Sequence, residues 1–258
     1  MNPAAEQTVE GTTITSPSRR IGLIKCDDID GHIEPETGTK ESLFIRPLTQ
    51  LDPNLQFEVY DARHSCLPED IHTFHGFLIT GSRHDAFSDE PWVARLRDWI
   101  PSAYDSGAKM VGVCFGHQIL AHTLNNGRTE RSEKGWSMGT TQPTIINRQP
   151  WMHSDDGSDQ FCVYVSHQDQ VKHLPQGSEL IATTDFCPNF MFQLNQQAMG
   201  IQGHPEFCRV IVDNLLRKRL DLLSEARKIQ VTYSLGCQPH KNRMMQWIVD
   251  FYRHPNGS

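Results

Sequence analysis

Nowhere in the 258 residues is there an apolar stretch long enough to span a bilayer, so no membrane-spanning helix is expected. The first 20 residues hold Thr, Ser, Pro and Glu but no apolar run, so Met1 to Arg20 reads as a flexible tail and not as a secretory signal. Positive charge is also scarce. Lys and Arg number 24 against 31 Asp and Glu, and the net charge of -7 is relieved by no basic stripe, which argues against a nucleic-acid partner. The seven cysteines are odd in number, scattered, and contain no C-x-x-C pair, so the sequence suggests neither a disulfide framework nor a zinc site. The expectation is a reduced, cytoplasmic protein. With 37% hydrophobic and 21% charged residues it suits one substantial core, and residues 21–258 are expected to form a single domain.

What is there is the run Val111 to Leu120, VGVCFGHQIL. Lys109 to Val113 is short, apolar and β-branched, which predicts a buried strand, and Phe115 to Leu124 places apolar residues at helical spacing until Asn125, Asn126 and Gly127 stop it. Between them Gly112-Val113-Cys114-Phe115-Gly116 has the form of a nucleophile elbow with cysteine in place of serine. A strand turning sharply into a helix strains its central residue and brings backbones close, which glycines tolerate. The turn predicts a Cys114 sulfur exposed at a helix N-terminus, where unpaired N–H groups favour thiolate, with His117 and Gln118 as polar neighbours. A lone cysteine more often packs as a small hydrophobe. Far along the chain, however, the strand-like Ile201-Gln202-Gly203 ends in His204, and Glu206 follows a proline that fixes the local backbone. A thiol nucleophile needs a base, and the base needs a carboxylate to orient it. Cys114, His204 and Glu206 supply all three.

The cysteine elbow, the His-Pro-Glu segment and their order resemble the class I glutamine amidotransferases, the triad type found in the glutaminase domain of guanosine monophosphate synthetase, over roughly Ile21 to Leu223. Gly76 to Phe87 (GFLITGSRHDAF) and Ser166 to Val171 (SHQDQV) resemble its stand-alone branch, which includes plant γ-glutamyl peptidases. The resemblance implies an oxyanion site from the backbone N–H groups of Ser82 and Phe115, where fixed dipoles meet the charge that builds when sulfur adds to a carbonyl. It also implies substrate recognition by Gly81, Gln118, Ser166, His167 and Gln168, with no cofactor and no metal. Ser82 stands where the family usually has a second glycine, and Gln168 where many members have one. Asp169 is equally readable as a cap.

Strand patterns at Ile21 to Cys26, Phe57 to Asp61, Gly76 to Thr80 and Lys109 to Val113 alternate with helical or loop crossovers, among them Trp92 to Tyr104. The expected fold is α/β: a three-layer, mostly parallel open sheet flanked by helices, flavodoxin-like and class I glutamine amidotransferase-like. Beyond Gly127, short strands at Met138 to Ile146, Phe161 to Val165, Leu180 to Thr184, Phe190 to Leu194 and Met199 to Gln202 predict a mixed-strand extension. Trp151 to Gln160 reads as a surface loop and Ser166-His167-Gln168-Asp169 as the start of a turn or short helix. Val210 to Leu223 and Met244 to Tyr252 read as amphipathic helices. Asp27, Asp28 and Asp30, with the polar stretch up to Lys40, read as a solvated loop without chemistry.

The function expected is a cysteine amidohydrolase cleaving a small γ-glutamyl substrate through a thioester, as a stand-alone γ-glutamyl peptidase. A glutaminase subunit with a separate synthetase partner and a non-catalytic scaffold of the same fold are the alternatives.

Overall fold

Apolar, β-branched residues set the first strand. In the computed structural model, which describes residues 18–153 and 157–255, β1 (Arg19–Lys25) buries Ile21 to Ile24 completely or nearly so. A single turn α1 (Glu34–Thr37) and α2 (Ser42–Leu51) lead to β2 (Leu55–Asp61), β3 (Gly76–Ile79), α3 (Pro91–Asp105), β4 (Lys109–Val113) and α4 (Phe115–Thr123). β3 and β4 are buried at every position, as a central parallel strand with both faces covered must be. α3 begins on a proline, whose missing N–H costs nothing there, and turns Trp92, Val93, Leu96, Ile100 and Ala103 inward at helical spacing.

The second half supplies β5 (Arg128–Arg131), β6 (Ser137–Thr141), β7 (Thr144–Ile145), β8 (Val163–His167), β9 (Asp169–His173), β10 (Ser178–Thr183), β11 (Met191–Leu194) and β12 (Ala198–Ile201). Three helices follow: α5 (Arg209–Arg219), α6 (Glu225–Ser234) and α7 (Lys241–Arg253). The main sheet has the order β2-β1-β3-β4-β12-β11-β10-β7. From β2 to β12 neighbours run parallel. From β12 to β7 they run antiparallel, so the mixed extension continues the same sheet. β5 with β9 and β6 with β8 form two short ladders beside it.

Strand alternation sorts the core. Leu23, Leu78 and Val111 face the layer of Phe44, Leu48, Met244, Trp247 and Phe251 from α2 and α7. Ile24, Phe77, Ile79 and Met110 face Leu96, Ile100, Ile119 and Leu120 from α3 and α4. Seven residues of α7 are buried, at roughly 1.5–3 kcal/mol for each fully buried large side chain, so its apolar stripe packs on the body.

Several expectations are corrected. Arg19 and Arg20 pair with Leu55 and Gln56 in β1, so the tail loses its last two residues to the sheet; residues 1–17 lie outside the described residues. Trp151 and Met152 are core and not surface: Trp151 Nε1 donates to Gln193 Oε1 at 2.7 Å, and its ring meets Phe251. Residues 154–156 of that loop lie outside the described residues. No helix starts at Ser166, because Gln168 alone separates β8 from β9. Cys162 and Cys237, 75 positions apart, are joined by a disulfide that spacing could not reveal. No described helix is long and apolar enough to cross a membrane.

Candidate active site

The parallel register places two strand ends side by side. Met110 to Val113 of β4 pair with Ala198 to Ile201 of β12, and Cys114 N–H donates to Ile201 O at 2.8 Å, so the residues after both strands emerge together. Cys114 caps α4 at φ 53° and ψ -103°, on the side of conformational space that L-residues avoid. The turn closes because Gly116 has no side chain: a Cβ there would lie 2.2 Å from Ile79 O. The sulfur is less open than expected, since Cys114 is only 4% exposed.

His204 is anchored by its N–H on Tyr164 O at 2.8 Å and lies flat on Phe207, ring centroids 3.8 Å apart and planes 6° from parallel. Its Nδ1 bonds Glu206 Oε1 at 2.8 Å, which leaves Nε2 as the nitrogen for a second partner. Gly81, two positions beyond β3, completes the cluster: a Cβ there would stand 3.0 Å from His204 Cε1, 3.5 Å from Cys114 Cβ and 3.6 Å from Lys40 Nζ.

Electrostatics tie these groups into one unit. Burial opposes a charged His204, but the Glu206 carboxylate, and then Cys114 as a charged and hydrogen-bonding neighbour, outweigh it and lift the imidazole to about 9. Burial likewise resists an ionised Glu206, yet His204 and Lys40 hold the carboxyl down at about 2. The arrangement keeps an imidazolium against a carboxylate at neutral pH, beside the cysteine. Such a set can donate a proton to a leaving amine and take one back from water.

Ser82 follows Gly81, and its hydroxyl contacts His84 Nδ1 at 3.3 Å. Phe115 is the first residue of α4, where an N–H has no acceptor within the helix. Gln118 is buried, and its amide donates to Asp169 O at 2.8 Å and Gln202 Oε1 at 3.1 Å. His167 Nδ1 bonds the same Asp169 carbonyl at 3.0 Å, burial lowers the ring to about 4, and its Nε2 has no partner among the described residues. Ser166 pairs with Met138 in the β6–β8 ladder, and Gln168 O accepts from Ser132 N–H.

Asp169 is no cap, because its carboxylate pairs with Arg131 at 3.0 Å. His117 is not a neighbour of the sulfur either: it is fully buried against Phe192 and Gly200, and burial lowers it to about 3. Lys40 is the residue that sequence reasoning passed over. Its Nζ lies 3.3 Å from Glu206 Oε1, delivered by the stretch read as a loop without chemistry. A single lysine in a polar segment carries no signal of burial.

The fold and the cluster define an α/β protein with a strained cysteine at one strand end and a buried histidine–carboxylate pair beside it. A model of the glutamine amidotransferase class-I family matches residues 54–214, and the chain belongs to that family. It is 32% identical over 155 residues to γ-glutamyl peptidase 4 of Arabidopsis thaliana, covering 59% of this chain and 61% of the relative. To γ-glutamyl peptidase 2 of the same plant it is 30% identical over 188 residues, 72% of each chain. The match to the first of these thus spans less than two thirds of that protein. A solved glutamine amidotransferase from Thermotoga maritima shares the fold, with a TM-score of 0.70 at 18% identity, over 92% of this chain and 97% of that one.

Proposed function

We propose that the chain is a cysteine amidohydrolase that cleaves γ-glutamyl amides as a stand-alone γ-glutamyl peptidase. One observation carries the reading: the 2.8 Å His204–Glu206 pair is buried beside the strained Cys114. The Cys114 thiolate adds to the γ-carbonyl, and the Ser82 and Phe115 N–H groups receive the oxyanion. As the C–N bond breaks, the His204 imidazolium gives its proton to the departing amine. Neutral His204 then takes a proton from water, the oxygen adds to the thioester, and the C–S bond breaks to return Cys114. Gly81, Gln118, Ser166, His167 and Gln168 line the glutamyl side, and one domain from β1 to α7 carries the whole set. The γ-glutamyl peptidases of Arabidopsis among its relatives support a peptide or conjugate over glutamine as substrate. The setting proposed is the cytoplasm, where Cys114 stays reduced.

The test is a panel of γ-glutamyl peptides, conjugates and glutamine assayed for free glutamate with the purified chain. Faster release from a peptide or conjugate than from glutamine is expected. Activity confined to glutamine, or dependent on an added synthetase, transfers the reading to an ammonia-supplying subunit; none at all, with Cys114 reduced, points to a scaffold.

A further inference from the structure

A lysine is buried in this cluster beside the histidine–carboxylate pair. Lys40 sits in the loop between α1 and α2, is 6% exposed, and reaches with Nζ to 3.3 Å from Glu206 Oε1, the oxygen that also holds His204 Nδ1. The ammonium stands 5.3 Å above the Phe207 ring on which His204 is stacked. It also lies beside Gly81, where a Cβ would come within 3.6 Å of it.

Stability does not account for this placement. Lysine is almost never buried unless paired, and a buried ion pair is commonly no better than apolar residues filling the same space. Charge does account for it. A Cys114 thiolate, a His204 imidazolium and a Glu206 carboxylate sum to one negative charge in a place shielded from water; the Lys40 ammonium brings that sum to zero.

We infer that Lys40 is a positioning residue of this site, whose ammonium shares the Glu206 oxygen with His204 and so governs how readily the Cys114–His204 pair gives up its protons. The inference rests on the proposed triad. Because Lys40 withdraws part of the carboxylate's field from His204, the imidazolium releases its proton to a leaving amine more easily. The same positive charge favours the thiolate. The other groups facing the unit are Lys241, whose Nζ bonds Glu206 O at 3.1 Å from the start of α7, His167 at the end of β8, and Arg219 at the end of α5 and Cys187, both of which feel the charge on Cys114. Cys26, just beyond β1, faces Lys40; burial, resisted by Lys40, pushes its thiol up.

The experiment compares Lys40→Met and Lys40→Arg with the parent chain. Alkylation of Cys114 by iodoacetamide is followed against pH by mass spectrometry, and kcat and KM for a γ-glutamyl dipeptide are followed over the same range. Lys40→Met is expected to move both limbs of the alkylation profile alkaline by about one pH unit and to lower kcat near neutrality with little change in KM. Lys40→Arg restores the parent profile. A profile unmoved in Lys40→Met, whatever its melting temperature, overturns the inference, as does failure of arginine to restore it. Lys40→Gln serves as the uncharged variant if methionine is not tolerated. Should iodoacetamide at neutral pH label the exposed Cys66 or any other cysteine of the parent chain ahead of Cys114, the triad itself fails; a Cys114 profile indifferent to Lys40 sinks this inference alone.

Discussion

Gly81 and Cys114 meet at the ends of adjacent parallel strands, so close that a Cβ on Gly81 would lie 3.5 Å from Cys114 Cβ and 3.0 Å from His204 Cε1. The φ of Gly81 is not in the left-handed region, so alanine meets no backbone strain there. What must move is the His204 ring. Gly81→Ala is therefore expected to fold with a melting temperature near that of the parent while kcat/KM falls about 10-fold, short of the roughly 100-fold that a full ångström's displacement costs because the ring must yield only slightly. Steady-state kinetics beside calorimetry checks it; a large loss of stability with unchanged kcat/KM contradicts the close approach.

The elbow makes a separate prediction through its strain. Cys114→Ala should abolish turnover and still fold. Glycine is ordinarily the costlier replacement, but at φ 53° it relieves a conformation that alanine must still endure. Cys114→Gly should thus be at least as stable as Cys114→Ala in chemical denaturation, and the reverse order would mean that the turn is unstrained. In the parent chain a glutamine-analogue electrophile should label Cys114 ahead of Cys26 and Cys187, whose thiols burial pushes up.

Much of this arrangement was legible in the sequence, and the limits follow from range. β4, the elbow and α4 show themselves because hydrophobic period, glycines and stop signals all sit within residues 109–127. His204 and Glu206 lie far off, but the strand before them and the proline between them give a local signature. α2 does not show itself, because Pro47 and a polar approach mask its Leu43, Phe44 and Leu48. Trp151 reads as loop because Ser, Asp and Gly follow it, whereas its burial depends on Gln193 and Phe251 from a distant strand and helix. Lys40 and the Cys162–Cys237 link are tertiary facts, set by how the crossovers land on the sheet, and no local pattern encodes them.

The pair His204 and Glu206 should separate by role. The histidine moves protons and the carboxylate orients it, so His204→Ala is expected to cost more in kcat than Glu206→Gln. His204 sits near 9 against about 6.5 when unfolded, so its stabilising contribution is complete below pH 6.5 and is lost as pH rises through 9. Glu206→Gln removes the largest group lifting it, so the basic limb of kcat should move to lower pH and the alkaline loss of stability should shrink. The variant also leaves Lys40 buried without its carboxylate, a cost of about 3 kcal/mol or more. Adding Lys40→Met to Glu206→Gln should then recover stability, and urea titration of the single and double variants measures it. A double variant weaker than Glu206→Gln alone would deny the pairing.

A second ionic cluster lies beside Gln118 and His167. Arg131 reaches Asp169 at 3.0 Å and Asp85 at 2.7 Å, so one guanidinium serves two carboxylates. Burial first, and Asp85 next, raise the Asp169 carboxyl to about 7 against the opposing pull of Arg131. The folded state therefore holds a proton there that the unfolded chain gives up near 4, and this contribution is complete below pH 4 and fades as pH climbs through 7. Removing Asp85 has two consequences of opposite sign. It forfeits an ion pair that is half exposed and worth at most about 1 kcal/mol, and it frees Arg131 to serve Asp169 alone. Only the second depends on whether Asp169 is ionised. Asp85→Asn should consequently be more harmful at pH 5, where Asp169 is protonated and gains little, than at pH 8, where relief of repulsion offsets the lost pair. Denaturant titrations of parent and variant at the two pH values decide it, and an equal or greater penalty at pH 8 would show that Asp169 is ionised throughout. Because Asp169 O accepts from both Gln118 and His167, the same variant reports whether the charge state of this carboxylate reaches the glutamyl side: KM for a γ-glutamyl dipeptide should change with pH differently in the two proteins, while kcat keeps its profile.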